Sequence, residues 1–357
     1  MFTINDDAFD PCFDITGQLI HSYPKTLSWN KSTDCCSWVG VYCDETIGKV
    51  IELKLTCSKL QGTLTLASFN SPILKRSTCL IIISLDRTFC LNLMELYLYI
   101  VNATSRIPES FGHLASLRFN YSNASGLQNL DSLFLSSNHL NATIPSMIFS
   151  LPSLIELDLN DNHFSGNIHE FKSKTLSRVF LQKNQLQGPI PKSPLNQHDL
   201  LYLVLSHNNL SGRITSTICN LKTLHLLDFG SNNLDGKIPL CLGEMSGLWV
   251  FDVIKNSISG TIQTTYSVGT QLIVIKFDGN KLEGKVSQSF INCTELEVLD
   301  LGNNELSDIF PKWLGALPYL QILNLRSNKF YVPIRTDNLF SRILVIDIDT
   351  LKLQFPK

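Results

Sequence analysis

The sequence lacks the features that identify a membrane-spanning or a nucleic-acid-binding protein. Its longest strongly apolar run is CLIIISL, residues 79–85, far shorter than the roughly 18 to 20 residues that cross a bilayer. The net charge is only -2, and Lys and Arg are scattered without long runs, so no basic surface for nucleic acid or an anionic membrane is indicated. The opening residues MFTINDDAFD also lack the basic and apolar regions of a secretory signal.

Catalytic patterns are missing as well. The chain has no HExxH, no GxSxG and no Cys/His nucleophile pair. Asp228 to Gly230 spell DFG, but no HRD loop or glycine-rich loop accompanies them. The stretches GNKLEGK and GSNNLDGK mimic a phosphate-binding loop, yet neither has Ser or Thr after the Lys. We therefore expect no enzyme and no cofactor.

Cysteines are concentrated near the start of the chain. Of ten, five lie in the first 57 residues: Cys12, Cys35, Cys36, Cys43 and Cys57. Adjacent cysteines rarely ligate one tetrahedral zinc ion, and no nearby His pair has metal-ligand spacing. The clustering therefore favours a disulfide-stapled terminal module over a metal site.

An internal repeat dominates the rest of the chain. Its nine regular units have the form LxLxxNxLxGxIP and follow one another at 24 residues, with one step of 22. They begin at Leu133, Leu157, Val179, Leu203, Leu227, Phe251, Ile275, Leu299 and Leu323. One such unit cannot bury its apolar face, but a stack buries a continuous core. The sequence thus predicts an α/β leucine-rich-repeat solenoid with a parallel β-sheet on its concave face, continuous from about residue 127 to 334.

Each recurring residue of the unit has a structural role. The alternating apolar pair predicts a short strand with one buried face, and the Gly and Pro columns suit the turns. An asparagine stands where the chain leaves the strand, where its amide can both donate to and accept from neighbouring backbone. This predicted ladder comprises Asn138, Asn162, Asn184, Asn208, Asn232, Asn256, Asn280, Asn304 and Asn328.

Recognition is predicted to use the side chains that flank the buried strand residues on the concave face. Asp is the default there, and aromatic and cationic departures from it suit a protein or glycan surface, although some of these side chains could simply pack against adjacent strands. The candidate ligand-binding residues are Phe134, Asp158, Arg178, Phe180, Tyr202, Val204, Trp249, Lys276 and Arg326. The candidate glycosylation sites are Asn30, Asn102, Asn120, Asn141, Asn209 and Asn292, with Asn123 too close to Asn120 for both to be modified easily.

The quoted form of the repeat, the block WNKSTDCCSWVGVYCDETIGKVIELKLTCSKLQG and the stretch FPKWLGALPYLQILNLRSNKF resemble plant leucine-rich-repeat receptor-like proteins of the Cf disease-resistance type. The resemblance implies that the cysteine block is an N-terminal cap in which Cys36 pairs with Cys43. In the family, the cysteine at the position of Cys35 pairs with one in an upstream segment that is missing from this sequence, so its pairing here is left open. Cys219 and Cys241 are a further candidate pair on adjacent coils, with registers that differ by two places.

The same resemblance sets the expected organisation. Residues 1–50 would be a partial cap, 51–126 irregular repeats, 127–345 regular repeats and 346–357 a truncated repeat. LRFNYSNASG, residues 117–126, is interpreted as a shortened unit, and residues 65–92 contain no readable repeat. Family members also carry a signal peptide before this point, and further repeats, one membrane span and a kinase-free tail after it. We therefore expect both ends of the stack to be unprotected.

The implied function is that of an ectodomain fragment of a plant immune receptor, which perceives a ligand at the extracellular face of the plasma membrane. Receptor kinases would be its partners, through regions outside this chain. Two alternatives remain open: a secreted inhibitor of cell-wall enzymes of the polygalacturonase-inhibiting type, and a non-functional gene fragment.

Overall fold

The computed structural model describes residues 2–4, 12–13, 19–20, 25, 33–46, 48, 50–56, 58, 60–63, 93–98, 103–107, 126–192, 199–262, 265–331 and 345–347. The chain divides into two units, residues 1–186 and 187–357, and each unit is a stack of repeat coils. Predictions for residues 65–92 and for Asn30, Asn102, Asn120 and Asn123 lie outside the described residues.

The strands are short, as expected for an LxL pattern. Up to the boundary between the units they are β1 (Phe2–Ile4), β2 (Cys12–Phe13), β3 (Leu19–Ile20), β4 (Val41–Cys43), β5 (Val50–Lys54), β6 (Leu60–Thr63), β7 (Glu95–Tyr97), β8 (Ala103–Ser105), β9 (Ser132–Phe134), β10 (His139–Thr143), β11 (Glu156–Asp158), β12 (His163–Asn167), β13 (Arg178–Phe180) and β14 (Gln185–Gly188). The second unit contains β15 (Tyr202–Val204), β16 (Asn209–Arg213), β17 (Leu226–Asp228), β18 (Asn233–Asp235), β19 (Val250–Asp252), β20 (Ser259–Thr261), β21 (Val274–Lys276), β22 (Lys281–Gly284), β23 (Val298–Asp300), β24 (Glu305–Leu306), β25 (Ile322–Asn324) and β26 (Val345–Asp347).

Each unit has a main sheet built from the LxL strands, the face that the sequence predicts to be concave. In the first unit β5, β7, β9, β11 and β13 pair in parallel, and in the second unit β15, β17, β19, β21, β23, β25 and β26 do so. Leu133 stands opposite Leu157, and both are fully buried. Apolar strand residues therefore stack on one another into the core, and the predicted fold class is confirmed.

A second, lateral sheet lies in the segment between the Asn and Pro columns, and the sequence did not predict it. In the first unit β6, β8, β10 and β12 form it, while in the second unit β16 pairs with β18, and β20, β22 and β24 pair in series. These strands alternate around a single buried residue, as in β10, where Leu140 is buried and its neighbours are exposed. Each coil thus makes two rows of hydrogen bonds to its neighbour.

The asparagine column joins consecutive coils. Nδ2 of Asn162 donates to the carbonyl oxygens of Leu135, Leu159 and Asn160 at 2.9 to 3.2 Å, and its Oδ1 accepts the N–H of Leu140 at 3.0 Å. The same four contacts recur at Asn184, Asn232, Asn256, Asn280, Asn304 and Asn328. One side chain therefore pairs backbone groups of two coils that would otherwise be buried without partners.

Left-handed backbone recurs at two positions in most coils. The residue before the ladder asparagine has φ near +50°, for example +55° at Asp161, and its N–H donates to the adjacent coil. The Gly column is also left-handed: Gly166 has φ +77°, and a Cβ there would lie 2.7 Å from Cγ2 of Thr143. Ala142 occupies the same column with φ +64° and carries the strain that glycine avoids.

All helices in the described residues are of the 3-10 type, and from residue 148 onward each lies between the lateral strand of one coil and the main-sheet strand of the next. They are Cys35–Ser37, Gly126–Asn129, Ile148–Ser150, Ser216–Asn220, Leu240–Glu244, Gln288–Asn292 and Lys312–Ala316. The 22-residue step has no helix in its corresponding residues, 168–177. There Oγ1 of Thr175 donates to the carbonyl oxygen of Leu154 at 2.8 Å, as Oγ1 of Thr223 donates to the equivalent carbonyl oxygen of Leu200 at 3.1 Å.

The irregular part of the chain continues the main sheet of the first unit. β7 pairs directly in parallel with β9, and the interpretation of residues 117–126 as a shortened unit falls almost entirely outside the described residues. At the start of the stack β4 pairs antiparallel with β5, and β1 pairs antiparallel with β6. Antiparallel strands can end a parallel stack because their hydrogen-bonding pattern satisfies the outermost strand.

Two disulfides lie within the described residues. Cys36 and Cys43 are bonded, which is the pairing that the resemblance implied, and the bridge closes the turn from the first 3-10 helix into β4. Cys219 and Cys241 are bonded between the 3-10 helices of adjacent coils. Cys293 is free and buried. Each bridge constrains a loop of the unfolded chain and so favours the folded state.

Replacing Ala142 with Gly should stabilise the protein. A left-handed alanine costs roughly 1 to 2 kcal/mol, while glycine adds unfolded-state entropy worth about 0.4 to 1 kcal/mol. We expect the free energy of unfolding, measured by chemical denaturation, to rise by about 0.5 kcal/mol. Ala316→Gly, in the exposed last position of a 3-10 helix, is the control and should lower it. A loss of stability in Ala142→Gly would contradict the assigned backbone strain.

Candidate ligand-binding faces

The main sheets bring the outward-facing residues of successive repeats into register columns. The residue between the two buried strand positions is one such column, because its side chain points away from the core. In the first unit this column reads Lys54, Tyr97, Phe134, Asp158 and Phe180. In the second unit it reads Val204, Asp228, Asp252, Lys276, Asp300 and Asn324.

An aromatic stack occupies the first unit's column. The rings of Tyr97 and Phe134 are parallel within 5° with centroids 4.5 Å apart, and Nζ of Lys54 lies 5.2 Å from the Tyr97 centroid. The sequence identified Phe134 and Phe180 but missed Tyr97 and Lys54. The repeat pattern could have identified them, because Tyr97 in LYL and Lys54 in LKL stand between two strand leucines, as Phe134 does in LFL.

Two charged candidates of the first unit are held by neighbours within the protein. Nη1 of Arg178 lies 2.8 Å from Oε2 of Glu156. Asp158 accepts the backbone N–H of Asn160 at 3.1 Å and the hydroxyl of Ser136 at 2.9 Å. Burial raises the pKa of Asp158, and these hydrogen bonds oppose the increase. Asp158 therefore serves the turn after its strand, and Arg178 presents the exposed cation.

The second unit carries an aromatic cluster at the start of its strands. The imidazole of His225 lies 4.2 Å from the Trp249 ring and 6.4 Å from the Tyr202 ring, measured between centroids. Nε1 of Trp249 donates to Oε1 of Gln271 at 2.9 Å beside a cavity of about 470 Å³. Trp249 is 37% exposed. The sequence analysis identified Trp249 but missed His225, which occupies the same position one repeat earlier.

The carboxylates of the second unit's column have a shared structural role. Asp228, Asp252 and Asp300 each accept the backbone N–H two residues later, at 3.0 to 3.2 Å. This side-chain turn explains why Asp is the default in the column. Lys276 interrupts the series, with its Nζ 3.6 Å from Oδ2 of Asp252. Burial, with a smaller contribution from Asp228, raises the pKa of Asp252 to about 6.

The remaining sequence candidates divide into accessible and inaccessible residues. Val204 is buried, with 8% of its surface exposed, so it offers little surface to a ligand. Arg326 is exposed at the end of β25. Among the candidate glycosylation sites, Asn141 and Asn209 are exposed on lateral strands. Nδ2 of Asn292, a third candidate, donates to the carbonyl oxygen of Tyr266 at 2.7 Å.

The described ranges contain neither a metal-binding cluster nor a membrane-spanning helix. No group of three or more His, Cys, Asp or Glu side chains in these residues could hold a metal ion. No helix among them is both long and apolar enough to cross a bilayer.

Sequence profiles match three parts of the chain. The "Leucine rich repeat N-terminal domain" profile matches residues 15–44, and leucine-rich-repeat profiles match 199–221 and 270–330. Together with the coils and the disulfide-bonded cap, these matches define a leucine-rich-repeat protein.

Similar curated proteins indicate which type of leucine-rich-repeat protein this chain resembles. A receptor-like protein Cf-9 homolog of Solanum lycopersicum is 38% identical over 214 residues, which are 57% of this chain and 24% of that protein. The chain is thus similar to plant leucine-rich-repeat receptor-like proteins of the Cf type. The chain spans about a quarter of the length of the curated relatives it matches.

Solved receptor ectodomains share the fold. The Arabidopsis thaliana GASSHO1/SCHENGEN3 ectodomain, in complex with CASPARIAN STRIP INTEGRITY FACTOR 2, is 28% identical with a TM-score of 0.69 and covers 87% of this chain and 35% of its own. The Arabidopsis receptor kinase HAESA, in complex with the peptide hormone IDA and the co-receptor SERK1, is 26% identical with a TM-score of 0.63, covering 91% and 59%.

Asp252→Asn should change the pH dependence of stability. Because the folded-state pKa of Asp252 is raised from 3.8 to about 6, the folded protein holds this proton more tightly, and stability is lost as pH rises from about 4 to 6. We expect the variant to gain on the order of 1 to 3 kcal/mol relative to the parent between pH 4 and pH 7. Denaturant unfolding across this range measures the difference, with Asp235→Asn as an exposed control. A difference that stays constant with pH would contradict the assignment.

Proposed function

We propose that this chain is part of the ligand-recognising ectodomain of a plant cell-surface immune receptor and that it binds a peptide or protein ligand through its main-sheet faces. It carries out no catalysis. Its place would be outside the plasma membrane, and signalling would pass to receptor kinases through other parts of the receptor.

The observation that carries this proposal is the set of outward-facing columns in register. Phe134, Tyr202, Trp249, Lys276 and Arg326 depart from the default Asp or small polar residue of the repeat, and each keeps some exposed surface. Aromatic and arginine side chains dominate the energetics of protein recognition. The repeats need only their buried positions for folding, so the variation on the open face is available for binding.

The similar structures support a peptide as the ligand. HAESA is in complex with the peptide hormone IDA and the co-receptor SERK1, and GASSHO1/SCHENGEN3 is in complex with CASPARIAN STRIP INTEGRITY FACTOR 2. A peptide bound to the main sheet of this chain would extend across several coils and contact a few side chains of each.

A peptide-library selection tests the proposal. Immobilised chain, secreted from insect cells, is used to select a phage-displayed library of random 12-residue peptides, and selected peptides are resynthesised to measure Kd. A main-sheet variant combines Phe134→Ser, Phe180→Ser, Tyr202→Ser, Lys276→Asp and Arg326→Ser. A lateral-sheet control variant combines His163→Ser, Gln185→Ser, Asn233→Ser and Lys281→Ser, all at exposed positions.

We expect the selected peptides to bind the main-sheet variant roughly tenfold or more weakly, because hot-spot side chains are lost. Their Kd for the lateral-sheet variant should equal that for the parent. Peptides that bind the main-sheet variant as tightly as the parent would contradict the proposal.

A further inference from the structure

We propose that the main-sheet face of the first unit docks a cationic peptide segment, with one lysine or arginine side chain seated between Glu52 and Glu95. The face is defined by Glu52, Lys54, Glu95, Tyr97 and Phe134. The inference rests on the proposed function and specifies the ligand chemistry for this one face.

Two carboxylates face each other across neighbouring strands. Glu52 of β5 and Glu95 of β7 are paired in register, and like charges directly opposite one another destabilise a sheet. Burial raises the pKa of Glu52, and the charge of Glu95 raises it further, while Lys54 acts in the opposite direction. The fold therefore carries an electrostatic cost at this point, which a ligand cation would relieve.

The aromatic stack holds this carboxylate pair in place. The hydroxyl of Tyr97 donates to Oε2 of Glu95 at 2.8 Å, and its ring is packed between Phe134 and the ammonium of Lys54. The pKa of Tyr97 is raised by burial, then by this hydrogen bond, with smaller contributions from nearby carboxylates that include Glu52. Rigid carboxylates beside aromatic surface suit a guanidinium or ammonium group.

The charge around the stack favours a cationic ligand. Asp131 lies near enough to Glu95 for that charge to raise its pKa, behind the larger effect of burial. Three cations lie near this face within the described residues. Arg178 is paired with Glu156, Lys54 lies over Tyr97, and Nζ of Lys25 donates to the carbonyl oxygen of Lys54 at 3.3 Å. Carboxylates thus outnumber cations, and complementary potential steers a partner of opposite charge.

Exposed apolar side chains border the acidic row. Met94 and Ile155, which precede β7 and β11, are 43% and 44% exposed. They offer contacts to apolar residues of a bound segment, whereas a purely polar polycation would leave them in water. The preferred occupant is therefore a peptide that combines lysine or arginine with apolar residues.

The same library selection, repeated on matched variants, tests this inference. Glu52→Gln and Glu95→Gln are combined, which removes both charges but keeps an oxygen to accept the Tyr97 hydroxyl. Glu283→Gln, an exposed carboxylate on β22 of the second unit, is the control. Peptides selected on the parent are resynthesised with arginine and, as a neutral counterpart of the same shape, with citrulline.

We expect Lys- or Arg-containing peptides to be enriched on the parent and on Glu283→Gln. Their Kd should weaken roughly tenfold on the double variant and on replacement of arginine by citrulline, as for a partly buried ion pair. The thermal midpoint of the double variant should equal or exceed that of the parent, because a repulsion is removed. A lower midpoint would contradict the electrostatic cost on which the inference depends.

Selection of neutral or acidic peptides that bind the double variant as well as the parent would overturn the inference. If those peptides still lose affinity on the main-sheet variant described above, the proposed function stands and only the ligand class is wrong. If no selected peptide depends on main-sheet residues, both are rejected.

Discussion

Buried backbone groups at the exit of each strand must find partners, and one asparagine per coil supplies them. Asn280, for example, is 8% exposed and bonds the backbone of its own coil and of the coil before it. An aspartate could not donate and a leucine could not bond at all, so either would leave buried carbonyls unpaired, each at a cost of about 1 to 3 kcal/mol. The spacing and register of the coils within each unit depend on this constraint.

The recognition surface follows from the register that the ladder fixes. Because Leu227 stands opposite Phe251 and Phe251 opposite Ile275, the intervening Asp228, Asp252 and Lys276 are held in one outward column. Asp in this column caps its own turn, which allows it to recur without any role in binding. Positions on this face that do not carry Asp can vary, and their residues differ between the units. Around Tyr97 the side chains are aromatic and acidic, whereas around Trp249 and Lys276 they are aromatic and of both charges.

The repeat period was sufficient to predict the buried strand positions, the asparagine column and the outward-facing residues, because these are local consequences of alternation and turn chemistry. It was not sufficient for contacts that depend on distant pairing. The lateral strands contain glycine and a single buried residue each, so their sequences lack the alternation of apolar and polar residues that predicts a strand. Likewise, the stack of Tyr97 on Phe134 follows only from the direct pairing of β7 with β9, across residues whose sequence resembles another repeat.

Backbone hydrogen exchange at the ladder positions tests the central claim most directly. The amides of Leu210, Leu234, Ile258, Leu282 and Leu306 donate to asparagine Oδ1 atoms. The account predicts that they exchange as slowly as the buried main-sheet amides of the same unit and far more slowly than the amides of exposed loop residues such as Val268. Exchange at these positions as fast as at Val268 would show that the asparagine ladder does not hold the coils together.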